Sequence, residues 1–201
     1  MKNNNSKTLW VFGDSFTNHS YDDCPNELRN VIRQWPNIVS DYYKLNLENF
    51  GQDGYSNQQI IHSVLKTIYQ VKEGDSVIIG FTDPLRIITI KNNKIKTFTN
   101  SFYFQSKKEI DKYPFHYVKH ILIPNEKTIH DFYIEQLNGL KKLILSMGCS
   151  VYTFDHFIWR SFESVTKYTN GKIVNQHWSK KGHEDMAKLI IDNLHKEKKI
   201  L

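Results

Sequence analysis

The chemistry available to this chain starts at Gly13-Asp14-Ser15, the turn that ends the apolar run Leu9-Trp10-Val11-Phe12. A short run of strand-favouring residues broken by glycine predicts a buried strand followed by a tight turn. Ser15 then stands just past a strand end, where the loops of an open α/β sheet line a ligand crevice. The same three residues also suit an ordinary strand-to-helix turn, with Asp14 or Ser15 capping the backbone that follows. A second candidate is Arg86, close after Asp83, which either orients a substrate carboxylate or pairs with an acid of the fold. The cysteines, Cys24 and Cys149, fall in no metal-ligand spacing and form no disulfide framework. In a reduced setting they read as buried or incidental thiols.

A serine in that position needs a sheet beneath it, and the hydrophobic pattern predicts one. Strands are expected at about Thr8 to Gly13, at the alternating run Leu45 to Phe50 closed by Gly51-Gln52-Asp53-Gly54, at Ser76 to Phe81 and at Ser150 to Asp155. Between them, helical spacing recurs. Pro25 suits a first turn followed by Leu28, Val31, Ile32 and Trp35; Pro36 interrupts that pattern, and Ile38, Val39, Tyr42 and Tyr43 predict another helix to Lys44. Ser56 or Asn57 caps a helix with Ile60, Ile61, Val64, Leu65 and Ile68 on its apolar face. A long helix from Glu126 to Met147 carries Ile129, Phe132, Ile134, Leu137, Leu140, Leu143 and Ile144, and Gly148 closes it. A less regular stretch, His156 to Lys172, leads to Val174 through Ser179, and Ser179 caps a last helix with Met186, Ala187, Leu189, Ile190 and Leu194 inward. Strands alternating with helices point to βαβ units and a parallel sheet.

The segment from about 86 to 124 breaks this rhythm and reads as an insertion. Ile88, Ile90 and Ile95 around Asn92-Asn93 predict a β-hairpin, and Phe102, Tyr103, Phe104, Tyr113, Phe115 and Tyr117 follow. Those aromatics form a satellite core, a lid over substrate or a subunit contact. Length and composition bound the rest: 201 residues, 39% hydrophobic and 13% aromatic, predict a single domain. The net charge of +6 is spread over scattered lysines, without zinc-finger spacing or a Walker glycine pattern, and so predicts no nucleic-acid partner. A polar, Asn-rich start from Met1 to Lys7 and the lack of any run of eighteen apolar residues predict a soluble, cytoplasmic protein with no membrane association.

Four stretches, in order, resemble the SGNH or GDSL-type hydrolase family: Gly13-Asp14-Ser15; Asn49-Phe50-Gly51-Gln52-Asp53-Gly54; Gly80-Phe81-Thr82-Asp83; and His177-Trp178-Ser179-Lys180-Lys181-Gly182-His183. The resemblance implies a three-layer α/β/α sandwich on a central parallel sheet of about five strands in flavodoxin-like order. It also implies a serine ester hydrolase, less often an acyltransferase, working without metal or cofactor. Position by position it makes Ser15 the nucleophile and His177 the general base, since a serine hydroxyl attacks well only when an imidazole takes its proton. Backbone N–H groups of Ser15 and Gly54 would form an oxyanion hole, glycine allowing close approach of the acyl oxygen.

The pattern is broken in two places. The third stretch carries Thr82 where the family has an oxyanion-binding asparagine; a hydroxyl can donate one bond but is shorter. The family's histidine-orienting aspartate falls here on Val174 or Asn175. An Asn175 amide oxygen accepts a bond but supplies no negative charge, and Asp155 or Asp185 would have to provide the carboxylate from elsewhere. The expectation is therefore a serine esterase on a small-molecule or carbohydrate ester, such as an O-acyl deacylase, with a non-catalytic binding protein on the same fold as the alternative.

Overall fold

Alternation along the first strand sorts its side chains onto two faces. Leu9 and Val11 join one buried cluster and Trp10 and Phe12 the other, because successive side chains of a strand point to opposite sides of the sheet. The computed structural model describes residues 7–18, 33–91, 94–98, 125–155, 158, 161–162, 164–169 and 172–196. Its elements run β1 (Thr8–Phe12), α1 (Trp35–Tyr43), β2 (Asn46–Asn49), α2 (Asn57–Thr67), β3 (Ser76–Gly80), β4 (Ile87–Lys91), β5 (Lys94–Phe98), α3 (Glu126–Ser146), β6 (Ser150–Phe154), β7 (Ser164–Thr169), β8 (Lys172–Trp178) and α4 (Lys180–Lys196).

Four strands form one parallel sheet in the order β2-β1-β3-β6. One face packs against α2 and α3 through Ile60, Val64, Tyr133, Leu137 and Ile144; the other packs against α1 and α4 through Trp35, Val39, Met186, Ile190 and Leu194. This is the expected α/β/α sandwich, with four parallel strands among the described residues. The order sets β1 between β2 and β3, so the connections lead to opposite sides of it, the arrangement at whose carboxyl end open α/β sheets bind their ligands. No helix of the described residues is long and apolar enough to cross a membrane.

Local chemistry explains the element boundaries. Ser56 and Gln59 form a reciprocal capping box at the start of α2, satisfying two of the N–H groups a helix start leaves over. The Ser179 hydroxyl accepts from the Gly182 N–H at 3.1 Å, as an N-cap should. Pro36 does not interrupt a helix; it lies in the first turn of α1, where a missing N–H breaks no bond. The expected helix from Pro25 falls mostly on residues outside those described. In α3 the buried stripe is Tyr133, Leu137, Leu140 and Ile144, whereas Phe132 and Leu143, expected inward, are 56% and 43% exposed. At 100° per residue they sit roughly 80–100° to one side of that stripe.

The hairpin expected around Asn92-Asn93 is present: β4 and β5 pair antiparallel from Ile87↔Phe98 to Lys91↔Lys94. The aromatics from Phe102 to Tyr117 lie outside the described residues. Beyond β6 the sequence read as irregular, but β7 and β8 pair antiparallel from Ser164↔Trp178 to Thr169↔Lys172 with a register shift at Lys167/Tyr168. Mixed polar and apolar residues conceal the hairpin in the sequence, since the alternation along Ser164–Thr169 and Lys172–Trp178 is irregular.

Candidate active site

Because β1, β2 and β3 are parallel neighbours, the loops that leave them emerge together. Asp14 ties them to one another. Its Oδ1 accepts from the Phe16 N–H at 3.0 Å, an Asx turn, and its carbonyl accepts from Thr17 and Asn18 at 2.9 and 3.2 Å. Its Oδ2 accepts from the Thr82 hydroxyl at 2.7 Å and from Arg86 Nη1 at 2.9 Å. Arg86 is therefore the partner of an acid of the fold. The same nitrogen donates to the Tyr55 carbonyl at 3.2 Å, so one guanidinium joins the loops after β1, β2 and β3.

The β2 loop is fastened to the serine turn by further bonds. Gln52 N–H donates to the Gly13 carbonyl at 3.2 Å, Asn18 Nδ2 to the Gly51 carbonyl at 3.1 Å, and Asn49 Nδ2 to the Thr17 carbonyl at 3.3 Å. The approach is close enough that a Cβ on Gly13 would stand 2.1 Å from Thr17 Oγ1. Gly54 differs: its φ is +75° and a Cβ there would meet nothing within 4 Å. Backbone conformation, not crowding, calls for glycine at that position, and the space beside it is open.

These bonds leave a pattern of used and unused donors. In the serine turn, the N–H groups of Phe16, Thr17 and Asn18 are all engaged, while Ser15 N–H finds no acceptor among the described residues. Gly54 N–H likewise finds none there. Thr82 is spent. Its hydroxyl, expected to face an oxyanion, donates its one proton to Asp14, and its backbone is clamped by Asn57, which accepts from Thr82 N–H at 2.8 Å and donates to its carbonyl at 3.1 Å. Sequence reasoning weighed Asn57 only as a helix cap. Its bidentate bonding to the β3 loop follows from its place in the first turn of α2, which contact patterns alone do not reveal.

His177 arrives from the other side of the chain. It lies near the end of β8, half-buried, with its ring 5.3 Å from that of Phe16, the residue after Ser15. Trp178, fully buried, packs on Phe16 at 5.0 Å and against His183 at 5.6 Å. Trp35 fixes the turn from below, its indole N–H donating to the Phe16 carbonyl at 2.9 Å. Phe16, next to Ser15, thus makes ring contact with the histidine region, 162 positions beyond Ser15 in the chain. Ser15 itself is 5% exposed.

The candidate orienting residues are more dispersed. Asn175 stands on β8 opposite Lys167; its side chain lies outside the described residues. Asp155, just past β6, lines a cavity of about 490 Å³ with Asn138, Thr153, Phe154 and Ser161, and its Oδ2 is 3.8 Å from His130 Nε2. The Asp185 carboxylate accepts from Lys181 at 3.0 Å on the surface of α4. Among the described residues no group of three or more His, Cys, Asp or Glu could hold a metal ion.

No family model and no curated protein matches the chain. Among solved structures it is similar to a member of the lipolytic protein G-D-S-L family from Veillonella parvula, at 16% identity and a TM-score of 0.40, covering 93% of this chain and 97% of that one. It is also similar to a putative lipolytic protein of the G-D-S-L family from Desulfitobacterium hafniense, at 13% identity and a TM-score of 0.38 over 91% and 97% of the two chains. A protein of Bacillus subtilis matches at 17% identity and a TM-score of 0.38, over 96% of this chain and 42% of that one.

Proposed function

We propose that the chain is a serine ester hydrolase of SGNH type, with Ser15 as nucleophile and His177 as general base. The observation that carries this reading is that Ser15 N–H and Gly54 N–H, on the loops after adjacent strands, find no acceptor among the described residues, while the N–H groups of Phe16, Thr17 and Asn18 that follow Ser15 are engaged. Ser15 is buried, and a buried N–H is rarely left without a partner. In the proposed reaction Ser15 Oγ bonds to the acyl carbon as His177 takes its proton, and the negative charge on the former carbonyl oxygen rests on the two N–H groups. The bond to the alcohol oxygen then breaks, that oxygen receiving the proton from His177. Water repeats the sequence on the acyl-enzyme, giving a carboxylic acid and free Ser15.

The near-burial of Ser15 favours a short acyl group, such as acetyl, on a small-molecule or carbohydrate alcohol. A second reading, a non-catalytic binding protein on the same fold, is favoured by the commitment of the Thr82 hydroxyl to Asp14, which removes a third oxyanion donor. A fluorophosphonate probe decides between them. Native protein should be labelled at one serine, and Ser15→Ala should fold and lose the label. No labelling of native protein, combined with no hydrolysis of p-nitrophenyl esters from acetate to octanoate, would establish the binding-protein reading.

A further inference from the structure

We propose that Arg86 is a positioning residue that sets the separation of the two oxyanion donors; the proposal rests on the esterase reading above. A single nitrogen, Nη1, donates both to Asp14 Oδ2 at 2.9 Å and to the Tyr55 carbonyl at 3.2 Å. Asp14 immediately precedes Ser15 and Tyr55 immediately follows Gly54. The two bonds of Arg86 therefore hold the two residues whose neighbours carry the unengaged N–H groups. Three further bonds tie these loops directly: Gln52 N–H to the Gly13 carbonyl at 3.2 Å, ahead of both donors along the chain, and Asn18 Nδ2 to the Gly51 carbonyl and Asn49 Nδ2 to the Thr17 carbonyl, with Thr17 and Asn18 following Ser15. Each donor is thus held from both sides along the chain, and Arg86 supplies the constraint nearest to both, on Asp14 before Ser15 and on Tyr55 after Gly54.

Arg86 leaves the loop after β3, whose own position is set by the Asn57 clamp on Thr82 and by the Leu85 N–H bond to Asp83 Oδ1 at 2.8 Å. The guanidinium thus works from an anchored base rather than from a free loop. Its side chain is 17% exposed, so water competes little for the two acceptors. Donors aimed at a developing oxyanion are effective only when fixed in place before the reaction. Loss of the bridge would leave substrate binding largely as it is and slow the step in which negative charge forms.

The test compares native protein with Arg86→Met, which keeps the length and removes the donors, and with Arg86→Lys, whose single nitrogen can donate to both acceptors. Arg86→Met should lower kcat and the rate of fluorophosphonate labelling by about 10- to 100-fold, short of losing a donor outright, with KM changed less than about 3-fold. Amide hydrogen exchange at Gly54 and Tyr55 should quicken. Arg86→Lys should stay within about 5-fold of native. An Arg86→Met protein labelled as fast as native would overturn the proposal while leaving the esterase reading intact, as would an Arg86→Lys protein that loses the label rate entirely. Absence of labelling in native protein would instead overturn the reading beneath it.

Discussion

Two buried aspartates stand at opposite ends of the sheet, and they are bonded differently. Asp75, before β3, accepts from Thr8 N–H at 2.9 Å, from the Trp10 indole at 2.9 Å and from Lys72 N–H at 3.0 Å. All its donors are uncharged groups of the scaffold, two of them on β1. Asp14, past the end of β1, takes one backbone N–H, one hydroxyl and one guanidinium. Either carboxylate would be costly to bury unbonded. The Asp75 bonds join a turn to a strand and serve rigidity. The Asp14 bonds join three loops and use up a cation and a hydroxyl that a ligand would otherwise meet.

The sharpest way to break that comparison is to remove each carboxylate in turn. Asp14→Asn places an amide against Arg86 and Thr82, and labelling of Ser15 per folded molecule should fall about 100-fold, comparable with loss of an oxyanion donor. Asp75→Asn should leave labelling within about 2-fold of native and act on stability instead. Bonds to a buried charged acceptor contribute about 1.5–3 kcal/mol each. A loss of about 3 kcal/mol implies a Tm lowered by roughly 6–12 °C for a chain of this size. Thermal melts paired with labelling rates settle the matter; equal effects of the two substitutions on labelling would show that the ends are not functionally distinct.

The site end has a carboxylate beside its serine turn but an amide residue, Asn175, two positions before His177. If Asn175 orients the imidazole, Asn175→Asp supplies charge for the imidazolium and should raise esterase activity about 10-fold, well below the ~10⁴ that the reverse change costs in serine proteases. If Asp155 already serves, Asn175→Asp gains little and Asp155→Asn loses activity. Rates on p-nitrophenyl acetate for both variants, each confirmed as folded, distinguish the two arrangements.

How much of this was legible in the sequence follows from how local each signal is. The parallel strands, the Ser56 cap and the β4–β5 hairpin rest on residues near one another, and periodicity and turn chemistry reveal such features. The β7–β8 hairpin was missed because its strands mix polar and apolar residues. Tyr133 was not among the residues expected inward on α3, yet it is buried and its ring packs edge-on to Phe81 at 6.2 Å. The candidate site divides in the same way. Ser15 and Gly54 could be singled out by motif, but the partner of the Thr82 hydroxyl, 68 residues away, could not. A hydroxyl's donor is assigned by three-dimensional neighbours, so spacing along the chain cannot say whether it faces ligand or protein.

The smallest expected effect lies at the Asp75 end. Cys149 is 5% exposed and its thiol donates to the Lys72 carbonyl at 3.1 Å. Burial first, and then the negative charge of Asp75, push this thiol above its ordinary value, since both disfavour the thiolate. In the unfolded chain the thiol loses its proton above about pH 8.5. The folded protein retains the proton longer, so above that pH the unfolded state binds fewer protons and stability falls as pH rises, levelling off once the folded thiol also ionises. Cys149→Ala should flatten this decline. Asp75→Asn removes one of the charges that raise the thiol, so the native cysteine should titrate at lower pH than in the parent protein, followed by the pH dependence of its reaction with a disulfide reagent. Asp14→Asn, at the far end of β1, should not move it. A shift of equal size in both variants, or a native thiol that reacts at pH 8 as fast as the unfolded one, would refute the assignment of Asp75 as the charge this cysteine senses.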